Sequence, residues 1–517
     1  MYCKNCGTLL QNGVCPKCRS LKKAGTIWAA LAVFPALLPM LLFLVNPILK
    51  TILLSFKNYS PARGIIGSAW VGFANYSEFL SSNYFPNLLG NSLIQGILCL
   101  LAGTAAVFLL TYSIARIQNK WLRCGVLSVL LLPNILPHVF LLSLIPKALL
   151  TSPTLYRLVP VIHEAVFVAP LAVFAGNFLL TKDFSRKRVF FITLFYTALR
   201  LLLFMFPDLQ LQLSTYNPTV YQTADVLGTF QYRRGFAESN YGISSASFVM
   251  QLLLNFLPWI LGAVLLGLLL FRFSFNSSKE EALPHSNTGA LPAVGLMCGS
   301  FLAIILGIFF AFVATITMRT GLHTFGNLLL TLACCLSAAT FAVGFSYPII
   351  AGNKAVGITA LCIIAIVLPL CGNLIGQYLQ MRELEIINTL FAVMFQNATG
   401  GIWGALGLVL ATSGKTESGG KSLFRQLLPP CIAFLCIGFC KFYAGTYLYS
   451  FIYIHDRNLY PLSLVLREIS LSNLNNVSAN PTAHAANQIF VTTYLLTALV
   501  GIAGIWLSGL LTREEAR

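Results

Sequence analysis

The chain has 517 residues, of which 57% are hydrophobic and only 9% charged, and its mean hydropathy is +0.79. A soluble globular body is excluded, because apolar residues in that proportion cannot all be hidden from water. The net charge of +18 calls for no nucleic acid partner, since a collar of Lys and Arg against the inner leaflet of a membrane accounts for it.

The chain begins MYCKNCGTLLQNGVCPKCRS, which sets Cys3, Cys6, Cys15 and Cys18 in a C-x2-C-x8-C-x2-C pattern. Four thiolates in two knuckles suit a closed tetrahedral zinc site, structural rather than catalytic. The segment resembles the small zinc ribbons that precede membrane segments in many bacterial proteins, and residues 1–20 are expected to form one with Zn as its cofactor. A disulfide pair fits poorly, because the segment should face a reducing cytosol. No cleavable signal peptide is read, since the first apolar run is too long for one. The other ten cysteines lie in or beside apolar runs without ligand spacing and read as small packing residues.

Twelve apolar runs follow, near 26–54, 89–115, 122–148, 158–180, 189–206, 246–271, 291–317, 323–351, 355–381, 385–412, 427–453 and 489–512. A membrane-spanning helix needs about 20 mainly apolar residues, whereas barrel strands are about 10 long with alternating character. The expected fold is therefore an all-α polytopic membrane protein. A polar bridge at 272–290 (RFSFNSSKEEALPHSNTGA) divides a first half, 21–271, from a second, 291–517.

The halves keep a common rhythm. Asn327 stands 236 residues after Asn91, and Pro369 stands 236 after Pro133. Both asparagines open an apolar run and both prolines follow a Leu inside the next. The polar stretches 216–241 and 454–487 recur at nearly the same interval, as in a duplicated transporter. With six spans each, the halves begin and end on one side of the membrane, so the repeat is parallel. With the N-terminus inside, 20 of the 33 Lys and Arg fall in inner segments, 10 in outer ones and three within spans. The excess of inner charge predicts that both termini are cytoplasmic.

Three outer segments carry a resemblance. Residues 56–76 (FKNYSPARGIIGSAWVGFANY) lead to 85–93 (FPNLLGNSL); 217–236 read NPTVYQTADVLGTFQYRRGF; 453–469 read YIHDRNLYPLSLVLREI. Together they resemble the permease subunits of binding-protein-dependent ABC importers for sugars, of the maltose-permease type, the third segment matching the partner permease. The resemblance covers roughly residues 25 to 510 and implies two permeases fused in one cell-membrane chain, a transport subunit rather than an enzyme. It implies an extracellular solute-binding lipoprotein docking on Tyr221, Asp225, Tyr232, Arg233, Arg234, Tyr460, Pro461 and Arg467. It also implies separate ABC ATPase subunits inside.

The pattern departs from that family where an ATPase would dock. The family's inner loop between the fourth and fifth spans carries an EAA start, a Gly and a Leu-Pro end. Here the first such loop is only 181–188 (TKDFSRKR), with Phe195 where the Pro is expected. In the second, 412–429, only Phe424, Arg425, Leu428 and Pro429 match. Gly414, Gly419 and Gly420 make it flexible, each costing a helix roughly 1 kcal/mol relative to Ala. Gly420-Lys421-Ser422 imitates the end of a phosphate-binding loop, but Lys415 stands where the motif needs Gly and no strand precedes it.

Polar residues within apolar runs are costly in lipid and mark a pathway or an internal partner. The candidates are Glu164, Arg200, Gln251, Asn255, Gln396 and Tyr443, with His163, Asn397 and Lys441 beside them. A Glu164–Arg200 ion pair and hydrogen bonding between helices explain them equally well. Aromatics such as Phe442, Tyr447 and Tyr449 suit stacking on sugar rings or an interfacial belt. Two functions follow: a fused sugar permease, or a transport-incompetent descendant whose zinc ribbon docks a cytosolic partner. A proton-driven transporter would want more than the single clear membrane-embedded carboxylate, Glu164.

Overall fold

The computed structural model describes residues 16–136, 145–180, 186–271, 290–350, 354–412, 420–475 and 482–511. The ribbon cysteines Cys3, Cys6 and Cys15, the side chain of Cys18 and the bridge 272–289 lie outside them. The protein is an all-α multi-pass membrane protein. Among the described residues, eight helices are long and apolar enough to cross a membrane, and ten if each of two bent pairs counts as one span. Helix occupies all twelve of the expected runs. The two that fall short are the third, Lys120–Ile135, and the fifth, Arg186–Leu202, at 16 and 17 residues.

Two of the spans are bent. The sixth span breaks by 50° between Tyr241–Leu254 and Phe256–Leu270, and the ninth by 92° between Val356–Leu370 and Leu374–Glu383. In the sixth span both arms stay apolar, whereas in the ninth the second arm carries Gln377, Gln380, Arg382 and Glu383. In the ninth span Pro369 ends the first arm, and Asn373 starts the second by accepting a hydrogen bond from the Gly376 amide at 3.2 Å. The eleventh span is likewise shorter than expected: it ends at Gly445, and a separate helix begins at Leu448. Two π-helical turns, Leu41–Val45 and Glu164–Val168, each lie just before a proline, Pro47 and Pro170. Proline cannot donate to the carbonyl four residues back, and a widened turn absorbs the misfit.

Outside the spans, residues 57–70 form an antiparallel pair, β1 (Lys57–Ser60) and β2 (Ser68–Trp70), with Lys57 opposite Trp70. Asn75 fastens this hairpin to the end of the first span, donating to Ser55 O at 2.9 Å and Lys57 O at 3.0 Å.

The halves pack through one another. Gly344 in the eighth span sits where a Cβ would come 3.0 Å from Ala36 of the first. Trp259 of the sixth donates to Ala365 O of the ninth at 2.7 Å, and Phe174 of the fourth meets Phe434 of the eleventh edge-on at 6.0 Å. One apolar cluster runs from Val33 through Phe195 and Leu368 to Ile505. The tenth span is the most enclosed, with 72% of its apolar window buried, and the seventh the least, at 17%. Exposed leucines and valines of the outer helices cost nothing against lipid, which is as apolar as they are.

Candidate functional site

The two repeated asparagines prove to be clasps. Asn91 Nδ2 donates to Gln222 O at 2.8 Å and Asp225 O at 2.9 Å, while Ser92 Oγ accepts from the Leu227 amide at 3.2 Å. Asn327 Nδ2 donates to Tyr443 O at 3.3 Å, and its Oδ1 accepts from the Leu462 amide at 3.0 Å. Leu462 begins a helix in the second polar stretch as Leu227 does in the first. Each side chain thus satisfies backbone groups of the loop above it, which buried chain requires.

In the first loop Asp225 is buried and binds Arg233 Nη2 at 2.9 Å. Arg233 Nη1 donates to Tyr216 Oη at 2.5 Å, Tyr216 donates to Asp225 Oδ1 at 3.2 Å, and Thr229 donates to the same oxygen at 2.6 Å. Burial works against the Arg233 charge, but its hydrogen bond to Asp225 and that carboxylate's charge outweigh it and hold the pKa above the usual value. Burial, with Asp225 adding to it, pushes the Tyr216 phenol up. Arg234 pairs with Glu238, and Tyr232 packs half-buried on Phe236. Tyr221, stacked on Tyr216 at 4.5 Å, is the exposed member.

In the second loop Pro461 is buried and Tyr460 packs against the cluster around Met318 and Leu459. Arg467 turns inward, its guanidinium 5.0 Å from the Tyr447 ring centre and 4.5 Å from that of Phe451. Asp225, Arg233, Pro461 and Arg467 therefore hold the loops in shape, and Tyr221 offers the open surface.

Within the spans, Glu164 and Arg200 are both buried, with Nε 3.5 Å from Oε1. Tyr196 donates to the same Oε1 at 2.5 Å, and Arg200 Nη1 donates to Leu203 O at 2.9 Å. His163 approaches Asp208 at 3.8 Å and stacks on Phe167. Gln251 accepts from Gln231 at 2.7 Å and donates to Met205 O at 2.6 Å. Asn255 accepts from the Met205 amide at 2.9 Å and donates to Leu202 O at 2.8 Å. These two side chains close the orphan carbonyls at the end of the fifth span. Gln396 donates to Gln377 at 2.8 Å and accepts from Tyr453 at 3.4 Å, while Tyr443 stacks on Phe439. The structure thus brings Glu164 and Arg200 together, Gln251 and Asn255 into a second group, and leaves Gln396 and Tyr443 in the other half.

The helix of the eleventh span begins at Gly420, so the backbone of Phe424 and Arg425 is helical rather than looped. Their side chains lie outside the described residues. Leu428 is half-buried and Pro429 buried. The fourth span ends at Asn177 and the fifth begins at Arg186.

One contact escaped the sequence. Lys50, near the C-terminal end of the first span, donates to Gln380 at 2.7 Å and pairs with Glu383 at the end of the ninth. Asn46 donates to Gln380 at 2.8 Å and Thr51 to Asn373 at 3.0 Å. The partners stand more than 300 residues apart. The available signal was a lone cation and a lone anion closing apolar runs on one side of the membrane. Asn388 carries this turn onward: its φ is +61°, and its Oδ1 accepts from the His455 and Asp456 amides at 2.9 Å. Among the described residues, no group of three or more His, Cys, Asp and Glu could hold a metal.

No family model matches the chain. It is similar to Protein LplB of Bacillus subtilis (strain 168), 28% identical over 117 residues, which are 23% of this chain and 36% of that protein. The chain therefore matches about a third of that relative's length. A solved bacterial alginate ABC transporter, in complex with an alginate pentasaccharide-bound periplasmic protein, aligns at 19% identity over 48% of this chain and 95% of its own, with a TM-score of 0.33. A second structure, of a bacterial ABC transporter importing alginate, aligns at 21% identity over 48% and 96%, with a TM-score of 0.32.

Proposed function

We propose that the chain is the membrane permease of a binding-protein-dependent ABC importer for sugars or oligosaccharides, with both permease halves fused and both termini cytoplasmic. The observation that carries this reading is the pair of asparagine clasps. Asn91 and Asn327, at one repeat interval, each hold an outer loop whose sequence resembles one of the two permeases. A solute-binding lipoprotein would press on those loops, with Tyr221 at the open surface and Arg234 and Tyr460 beside it. ATP hydrolysis would belong to separate subunits, and zinc at Cys3, Cys6, Cys15 and Cys18 would stabilise the ribbon alone.

Deleting the chain in its own host should abolish uptake of at least one labelled oligosaccharide, with wild type restoring it. The protein purified from native membranes should carry an ATPase and a binding protein. Unchanged uptake across a panel of oligosaccharides, with neither partner recovered, would overturn the reading.

A second reading rests on the inner loops. Between Asn177 and Arg186 stand eight residues, too few for a docking helix and the turns on either side of it. This favours a transport-incompetent permease homologue whose zinc ribbon serves as a membrane scaffold or regulator. Purification from native membranes distinguishes the two: absence of any co-purifying ATPase from wild type supports the second reading, whereas an ATPase lost on replacing Phe424 and Arg425 supports a weak transport coupling there, and one fully recovered places docking elsewhere.

A further inference from the structure

We propose that the cleft between the third and twelfth spans is a binding site for one anionic phospholipid. It encloses about 270 Å³ and is lined by Lys120, Trp121, Cys124, Trp506, Gly509 and Leu510. Trp121 lies in the first turn of the third span and Trp506 near the last turn of the twelfth. Their rings stack at 5.5 Å and 29°. Two of the protein's six tryptophans thus meet where two spans end. Indoles prefer this level, with the ring in the apolar layer and the N–H among headgroups.

Within the two helices the charge is one-sided. No Asp or Glu occurs between Glu78 and Glu164 or anywhere in Thr482–Leu511, the nearest in sequence to the cleft being Glu514 and Glu515, past the end of the twelfth span. Arg123 gives its Nε and Nη2 to Ile117 O, and Arg116 lies over the Tyr112 ring at 4.3 Å and donates to its hydroxyl. Lys120 is exposed and forms no ion pair among the described residues. The cation lining the cleft is thus the one not engaged by its neighbours, and a phosphate is its natural partner.

Shape points to a lipid rather than a soluble ester. At about 30 Å³ per water the cleft takes a headgroup but no acyl tails. On the same two helices, Leu122 and Val129 of the third span and Leu507 and Leu510 of the twelfth are all more than 40% exposed. They give the tails an apolar track. Where the helices touch, a Cβ on Gly509 would lie 2.6 Å from Cys124 Sγ, so a side chain there would push the two walls apart.

The test reconstitutes the full chain in phosphatidylcholine vesicles doped with acyl-brominated phosphatidylglycerol or, separately, acyl-brominated phosphatidylcholine, and reads tryptophan quenching. The glycerol lipid should quench with about fivefold preference, the size one Lys supplies against an anionic surface. The preference should vanish in W121F/W506F and fall in K120Q. Lysine to arginine at 120 should keep it, showing that the charge and not the fold is being read. Equal quenching by both lipids, or a preference unchanged by K120Q, overturns the proposal. So does displacement by inorganic phosphate, which would make the site one for a free anion.

Discussion

The fourth span carries a glutamate where the tenth, 236 residues on, carries a glycine. At the 236-residue interval Glu164, Tyr196 and Arg200 correspond to Gly400, Ile432 and Cys436. In the first half a carboxylate, a phenol and a guanidinium tie the fourth and fifth spans together, and the second span closes on them. A Cβ on Gly103 would lie 1.9 Å from Tyr196 Oη. The second half reaches comparable closeness without charge. A Cβ on Gly401 would lie 2.0 Å from Ala338 O, and one on Gly504 2.4 Å from Cys436 Cβ. Helices in lipid gain nothing from burying apolar surface against each other, so either close backbone approach or a satisfied polar group must hold them. The first half adds its charged group to such close approaches, since a Cβ on Gly262 would lie 2.7 Å from Ala198 O.

The comparison breaks most sharply at the ion pair. Arg200→Leu should destabilise by about 3–5 kcal/mol, because Glu164 is left buried and uncompensated. Glu164→Leu with Arg200→Leu should recover most of it, read as the melting temperature in detergent by size exclusion. A double variant no more stable than the single would mean that the pair does not act as a unit. Next in size, Gly401→Ala should cost about 1–3 kcal/mol by overpacking. Gly103→Ala should cost less, since Tyr196 can swing aside where the Ala338 backbone cannot. Equal losses would put both halves on the same mechanism.

Asn91→Ala and Asn327→Ala should each lose about 1–3 kcal/mol by orphaning buried backbone groups. Asn91→Ala should lose more, because its two donations, at 2.8 and 2.9 Å, are both short. Faster hydrogen exchange confined to 217–236 or to 453–469 would identify which loop each side chain holds. Lys50→Ala should cost no more than about 1 kcal/mol, since its partner Glu383 is half in water. Exchanging the two charges should restore it. The smallest effect is expected from Ser at Cys3, Cys6, Cys15 and Cys18. Bound zinc should disappear while the melting temperature of the membrane domain stays put, because so small a ribbon shares none of its core. Undiminished zinc would refute the ribbon.

Composition and run length alone determined that this is a helical membrane protein and where its helices lie. An apolar run about 20 residues long has no other stable state in lipid, since every backbone group must be satisfied within the segment. The 236-residue interval was legible for a similar reason, being carried by residues at fixed places along one chain. Direction and pairing were not. The 92° turn after Pro369 lies inside one expected span, and Gln251 and Asn255 fit a pathway and hydrogen bonding between helices equally well until their contacts with carbonyls at the end of the fifth span are seen. Asp225 and Arg467 look like docking surface in a polar stretch, yet one is buried in a hydrogen-bonded knot and the other lies on two aromatic rings. Which partner a polar side chain finds depends on helices meeting across hundreds of residues, as Lys50 meets Glu383. Only the tertiary packing brings those groups within bonding distance.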